Sequence, residues 1–255
     1  MRLYCQTFGE GFPLLILHGF LGSSDNWLSV SKRLGNQFKV YSLDLRNHGA
    51  SPHSEIMSYA VMSQDILEFM DDHKLSSALL LGHSMGGKVA MQCALDFPNR
   101  VEKLVIVDIA PRTYPPTHRA ILNAALSLDL KTHKSFSEVD GALAVAIPQA
   151  AVRQLLLKNL KRSNDGHLTW KIYLNAIARH YDKLTTAIVT GQMFNQPTCF
   201  IRGGRSTYIQ DDDLPLIRTI FPQAKIKTIA NAGHWVHADA TEAFLTIVEE
   251  FLAHN

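Results

Sequence analysis

Cysteine is scarce in this chain of 255 residues: Cys5, Cys93 and Cys199 are the only three, odd in number and widely spaced. They suggest no disulfide framework and fall at no metal-binding spacing, so a reducing, cytoplasmic setting is expected, with no metal. An excess of either charge is also missing, since 25 basic and 23 acidic residues leave +2. A nucleic-acid partner would call for a clustered basic face, and none is expected. No run approaches the ~18 apolar residues of a membrane span. The opening Met1-Arg2-Leu3-Tyr4-Cys5-Gln6 lacks the apolar stretch of a signal peptide. Internal repeats and low-complexity segments are lacking too. What is present is 46% hydrophobic and 19% charged residues, the composition of a globular protein. The length suits one large α/β domain carrying an insertion.

Short apolar runs recur between turn signals at residues 14–17, 40–43, 78–81, 104–107, 198–201 and 226–229. Most are continuous rather than alternating, as in parallel strands buried on both faces. Helix-period stripes lie between them: Tyr59, Met62, Ile66, Phe69 and Met70 form one, and Phe244, Leu245, Val248, Phe251 and Leu252 another. Asp239 with Glu242 reads as a capping box for the last helix. The expected fold is therefore α/β, a mostly parallel central sheet flanked by helices. Between residues 111 and 196 the alternation breaks into a segment that reads helical almost throughout. Pro148 stands at a helix start ahead of Leu155, Leu156 and Leu160, and Trp170, Tyr173, Leu174 and Ile177 mark a further helix. The expected division is a core of residues 1–110 and 197–255, with a helical lid at 111–196 inserted before the last two strands.

Gly82-His83-Ser84-Met85-Gly86 follows a predicted strand and precedes a helix pattern. G-x-S-x-G in that context is a nucleophile elbow, whose glycines leave room for a strained turn that projects the serine hydroxyl from the sheet edge. A serine needs a base, and His234, in Asn231-Ala232-Gly233-His234-Trp235 after the last predicted strand, is the candidate. His237 is its local rival and fits a place at the helix start better. An oxyanion hole requires two aimed N–H groups: Met85, after the nucleophile, and Phe20, in Leu17-His18-Gly19-Phe20 after an early strand. His18 is expected to orient that loop and is a candidate substrate contact.

Five blocks taken together, H-G-F-L-G-S-S-D-N-W at 18–27, D-L-R-N-H-G-x-S at 44–51, G-H-S-M-G-G-K at 82–88, V-D-I-A-P at 107–111 and G-G-R-S-x-Y-I at 203–209, resemble the α/β-hydrolase superfamily, and within it the YbfF-type bacterial esterases. The resemblance covers essentially the whole chain. It implies hydrolysis of acyl esters or thioesters, with acyl-coenzyme A as a proposed ligand and no cofactor.

The acid of the triad departs from the superfamily's commonest pattern, which places an aspartate after the strand that follows the lid. Here that place reads Gly203-Gly204-Arg205-Ser206, and a serine cannot supply the charge that supports an imidazolium. Asp108, at the end of the strand after the nucleophile's, and the later run Asp211-Asp212-Asp213 are the substitutes. The resembled family places its acid at the aspartate of D-I-A-P, which is Asp108. The run is then expected to cap a helix or face solvent, and Ser206 to hydrogen-bond the His234–Asp108 pair. Asp44 and Arg46 fit a structural role, because Asp44 precedes the serine and the order Ser…Asp…His disfavours it. Arg112 and Arg205 are candidate contacts for a coenzyme A phosphate, or else solvated loop residues.

The expected activity is a serine hydrolase acting on a small acyl ester or thioester through an acyl-enzyme. Alternatives on the same triad are a lidded carbon–carbon bond hydrolase, an aminopeptidase, or a ligand-sensing relative without turnover. Dehalogenase and epoxide-hydrolase chemistry needs an aspartate where Ser84 stands. Oligomeric state is not encoded in any pattern in the chain.

Overall fold

The computed structural model describes residues 1–189 and 191–253. In chain order the core opens with β1 (Cys5–Phe8), β2 (Pro13–Leu17), α1 (Leu28–Leu34), β3 (Lys39–Leu43), α2 (Tyr59–Asp72), β4 (Ala78–His83), α3 (Met85–Asp96) and β5 (Val101–Val107). An inserted stretch follows, with α4 (Arg119–Ser127), α5 (Phe136–Ala144), α6 (Ala150–Leu157), β6 (Leu160–Arg162), β7 (Leu168–Trp170) and α7 (Leu174–Thr185). The chain returns to the core with β8 (Thr198–Gly203), α8 (Leu214–Ile220), β9 (Ala224–Ile229), α9 (Val236–Asp239) and α10 (Thr241–Ala253).

Seven strands form one sheet in the order β1-β3-β2-β4-β5-β8-β9. Every neighbouring pair is parallel except β1 with β3. Successive side chains of a strand point to opposite faces, so a continuous apolar run supplies both cores at once. Leu15 and Leu17 join Leu80, Leu104, Ile106 and Phe200 under α2 and α3. Leu14 and Ile16 join Leu79, Leu81, Val105 and Ile201 against Trp27, Val30 and the α10 residues Phe244 and Val248. The six runs predicted as strands are all in this sheet.

Two local expectations need correction, and one strand lies outside the pattern reading. The N-terminal β1 escaped the pattern reading because it is short, half-buried and antiparallel at the sheet edge. Leu160 and Trp170, expected on helices of the inserted segment, instead pair across the two-stranded β6–β7 hairpin. Its turn is closed by Ser163 N–H donating to His167 O (2.8 Å) and Gly166 N–H donating to Ser163 O (2.9 Å); Asp165-Gly166 is the turn signal that announces it. Asp239 does not cap α10, since it ends α9 and its Oδ2 accepts from Gly233 N–H at 2.7 Å. Among the described residues no helix is long and apolar enough to cross a membrane.

Candidate active site

Ser84 sits between β4 and α3 with φ 52° and ψ −116°, a left-handed backbone that non-glycine residues rarely adopt. The tight turn needs its glycines. A Cβ on Gly82 would stand 2.3 Å from Gly86 O, and one on Gly86 2.3 Å from Leu17 O. The turn is held by Ser84 N–H donating to Val107 O at 3.0 Å, which ties the elbow to the end of β5.

Asp108, the next residue, also has positive φ (49°) and is fully buried. Its Oδ1 accepts from Gly203 N–H at 3.0 Å. Its Oδ2 accepts from Ser206 Oγ–H and from His234 Nδ1–H, the latter at 2.8 Å. Donation from Nδ1 leaves His234 Nε2 as the acceptor facing Ser84, and Ser84 Oγ lies 3.1 Å from it. Ser84, His234, Asp108 and Ser206, spread over more than 120 residues of chain, thus share one line of hydrogen bonds at the C-terminal rim of the sheet.

Two further residues fix the imidazole. Tyr208 stacks on it with ring centroids 3.8 Å apart, and His83 Nε2–H donates to His234 O at 2.9 Å. Neither role was visible in the sequence, although both residues lie inside recognised motifs. Burial pushes the His83 imidazole well below its usual range, and the neighbouring His234 and His237 add to that effect. His83 is therefore a neutral donor.

Phe20 and Met85 border the cavity beside Ser84. Among the described residues neither N–H donates to a backbone acceptor.

Asp44, Arg46 and His237 take structural places. Asp44 accepts from Ser24 N–H (2.6 Å) and Ala50 N–H (2.7 Å). Arg46 grips Asp65 through two 2.6 Å bonds. His237 stacks on Trp27 at 4.0 Å, and burial lowers it to about 3. The aspartate run also divides: Asp211 is exposed and pairs with Arg202 (2.7 Å), whereas Asp213 is buried and pairs with Arg112 (2.7 Å).

The same geometry places the three candidate substrate contacts. His18 is committed inside the protein, with Nδ1–H donating to Gly19 O (2.8 Å) and Nε2 accepting from Leu45 N–H (3.0 Å). Burial lowers it to about 4, so it orients the Phe20 loop as a neutral ring and has no nitrogen left for a ligand. Arg112 borders the cavity, but its charge is matched by Asp213 and its guanidinium lies 4.1 Å over Tyr114. Arg205 is exposed, donates to Asn231 O, and borders neither cavity at Ser84. Among the described residues no His, Cys, Asp and Glu cluster could hold a metal ion.

The chain is similar to known proteins over nearly its whole length. It is 40% identical over 248 residues to mouse sn-1-specific diacylglycerol lipase ABHD11, covering 94% of this chain and 80% of that protein. It is 32% identical over 251 residues to the Escherichia coli esterase YbfF, covering 97% and 95%. A solved marine microorganism esterase superposes with a TM-score of 0.95 at 40% identity, covering 98% of this chain and 99% of that one. The α/β-hydrolase fold family matches residues 13–241. With its elbow serine at the rim of a mostly parallel sheet, the chain belongs to the α/β-hydrolase family.

Proposed function

We propose that the protein is a serine esterase that hydrolyses small acyl esters in two steps. Ser84 attacks the acyl carbon while His234 Nε2 takes the hydroxyl proton. Phe20 and Met85 N–H groups receive the oxyanion of the tetrahedral intermediate. Collapse breaks the bond to the leaving alcohol, which takes the proton from His234, and leaves Ser84 acylated. Water then attacks with His234 again as base, and the acid is released as the Ser84 hydroxyl re-forms. Asp108 holds the Nδ1–H tautomer and offsets the imidazolium charge, and Ser206 positions Asp108.

The observation that carries this reading is the unbroken line from Ser84 Oγ through His234 to Asp108. The named activities of the diacylglycerol lipase and esterase relatives support it. Residues 111–196 act as the lid and supply walls to both cavities beside Ser84. Thioesters fall within the same chemistry. The narrower acyl-coenzyme A reading draws no support from Arg112 or Arg205, both engaged elsewhere. The unpaired thiols of Cys5, Cys93 and Cys199 support a cytoplasmic setting.

The test is steady-state hydrolysis of short p-nitrophenyl esters, abolished by a serine-directed phosphonate and by Ser84→Ala. A panel pairing acyl esters with matched acyl-coenzyme A substrates separates ester from thioester preference. Stoichiometric labelling of Ser84 without turnover would instead favour a ligand-sensing protein.

A further inference from the structure

Ser84 borders two cavities of different character. The larger, about 570 Å³, also contains His234 and is walled by apolar residues such as Trp235, Ile121, Val152 and Leu155. The smaller, about 430 Å³, is not lined by His234 and counts Lys88, Tyr59, Tyr114 and Arg112 among its walls. On the hydrolase reading above, the leaving group must take its proton from His234 Nε2. It therefore departs through the larger cavity, and the acyl half occupies the smaller one beside Phe20 and Met85.

Lys88 gives that acyl cavity an unusual wall. The residue is 1% exposed. Its Nζ donates to Arg112 O (2.8 Å) and Thr186 O (2.5 Å) and lies 4.9 Å from the centre of the Tyr114 ring and 5.7 Å from that of Tyr59. An ammonium has three N–H donors, and those two carbonyls use two. Among the described residues no carboxylate lies within ion-pair distance of it, whereas Arg112, the other cation here, has Asp213. Burying a charge without a counter-ion is costly. Burial and the nearby Arg112 charge accordingly lower the amine to about 7. The phenols facing it are held neutral, because burial raises both Tyr59 and Tyr114.

We infer that the smaller cavity takes an acyl group whose far end carries a carboxylate, received by the Lys88 ammonium. The preferred substrates are then half-esters of dicarboxylic acids, with the neutral alcohol leaving through the apolar cavity. The substrate supplies the counter-ion that the fold omits, and binding draws Lys88 into its charged form.

The test compares monoethyl esters of dicarboxylic acids of about five to seven carbons with ethyl esters of fatty acids of equal length, following the released acid by chromatography. The free carboxylate is ionised from about pH 5.5 to about pH 9, and any effect of pH on the shared chemical step acts on both substrates alike, so it cancels in the ratio of kcat/KM. That ratio is expected to favour the half-ester about tenfold or more at the acid end. It should fall as the pH rises through about 7 and Lys88 loses its proton. Lys88→Met should bring it to about one or below at every pH. Because Lys88 also ties two chain segments together, this variant could fail to fold, and the unmodified protein's pH profile then decides alone. A ratio near one at every pH in the unmodified protein overturns the inference while leaving the esterase intact. Calorimetric binding of the half-ester to Ser84→Ala, without turnover of any ester by the unmodified protein, keeps the carboxylate site and overturns the hydrolase.

Discussion

Tyr208 lies face to face with His234, the ring planes 17° apart and the centroids separated by 3.8 Å. The stack covers one face of the imidazole while Asp108 and Ser84 occupy its two nitrogens. Its backbone is fixed in turn, with N–H donating to Ser206 Oγ (3.2 Å) and O accepting from the Tyr114 hydroxyl (2.5 Å). An aromatic pair is worth about 0.5–1.5 kcal/mol beyond its buried area. Tyr208→Ala should therefore lower kcat roughly three- to tenfold on a short ester. Tyr208→Phe, which keeps the ring, should stay close to the unmodified rate. Equal loss in both variants would assign the effect to the hydroxyl.

The two candidate acids separate by magnitude. Ser84→Ala should cost about 10⁶ in turnover and Asp108→Asn about 10⁴. Asp211→Asn and Asp212→Asn, at exposed positions of the run, should stay within about tenfold. A folded Asp108→Asn protein with near-normal kcat removes the carboxylate from the mechanism.

Ser206→Ala withdraws one donor from a fully buried carboxylate. A hydrogen bond to a charged group contributes about 1.5–3 kcal/mol. A tenfold or larger fall in kcat, with KM little changed, is expected on the same ester. Unchanged kcat would make Ser206 a loop residue only.

Arg46 and Asp65 are both buried and doubly bonded. Removing one partner strands the other charge, at about 3–5 kcal/mol. Asp65→Asn and Asp65→Ala should thus lower the denaturant midpoint markedly. Arg46→Lys should not rescue the pairing, because a lysine cannot reproduce the two-pronged contact.

Acid should weaken the fold before carboxylates titrate. Burial lowers His18 to about 4 and His48 to about 3, and the two rings sit 5.0 Å apart. Their unfolded value is ~6.5, so the unfolded chain binds these protons first. Stability present above that value is lost as the pH falls from about 6.5 towards about 4 and then 3. The contribution at stake is a few kcal/mol. A Tm that drops between about pH 6.5 and 5, with a shallower slope in His48→Asn, is the expected result. A flat Tm over that interval would mean that these rings ionise freely in the fold.

The parts of this architecture that were legible in the sequence are those written locally. The six continuous apolar runs mark strands because burial on both faces leaves no alternation, and Gly82 and Gly86 bracket Ser84 because backbone carbonyls crowd both positions. His234 followed from its place after β9. Asp108 was harder, because spacing alone left it beside Asp211, Asp212 and Asp213 and the choice came from a family motif. The Tyr208 stack, the His83 bond to His234 O and the Arg112–Asp213 pair depend on contacts between residues 26 to 151 positions apart, which no local propensity encodes. Asp239 shows the converse failure: a capping signature was present, but the Gly233 N–H claimed the carboxylate first.

The bond from His83 Nε2–H to His234 O has a mechanical consequence. The loop bearing His234 is latched to the end of β4 beside Ser84, without passing through residues 111–196. The spacing between the Ser84 oxygen and the His234 imidazole thus has a support within the core, beside the one that the insertion lends through the Tyr114 hydroxyl on Tyr208 O. Two anchors of different origin, one in the sheet and one in the inserted segment, therefore converge on a single ring.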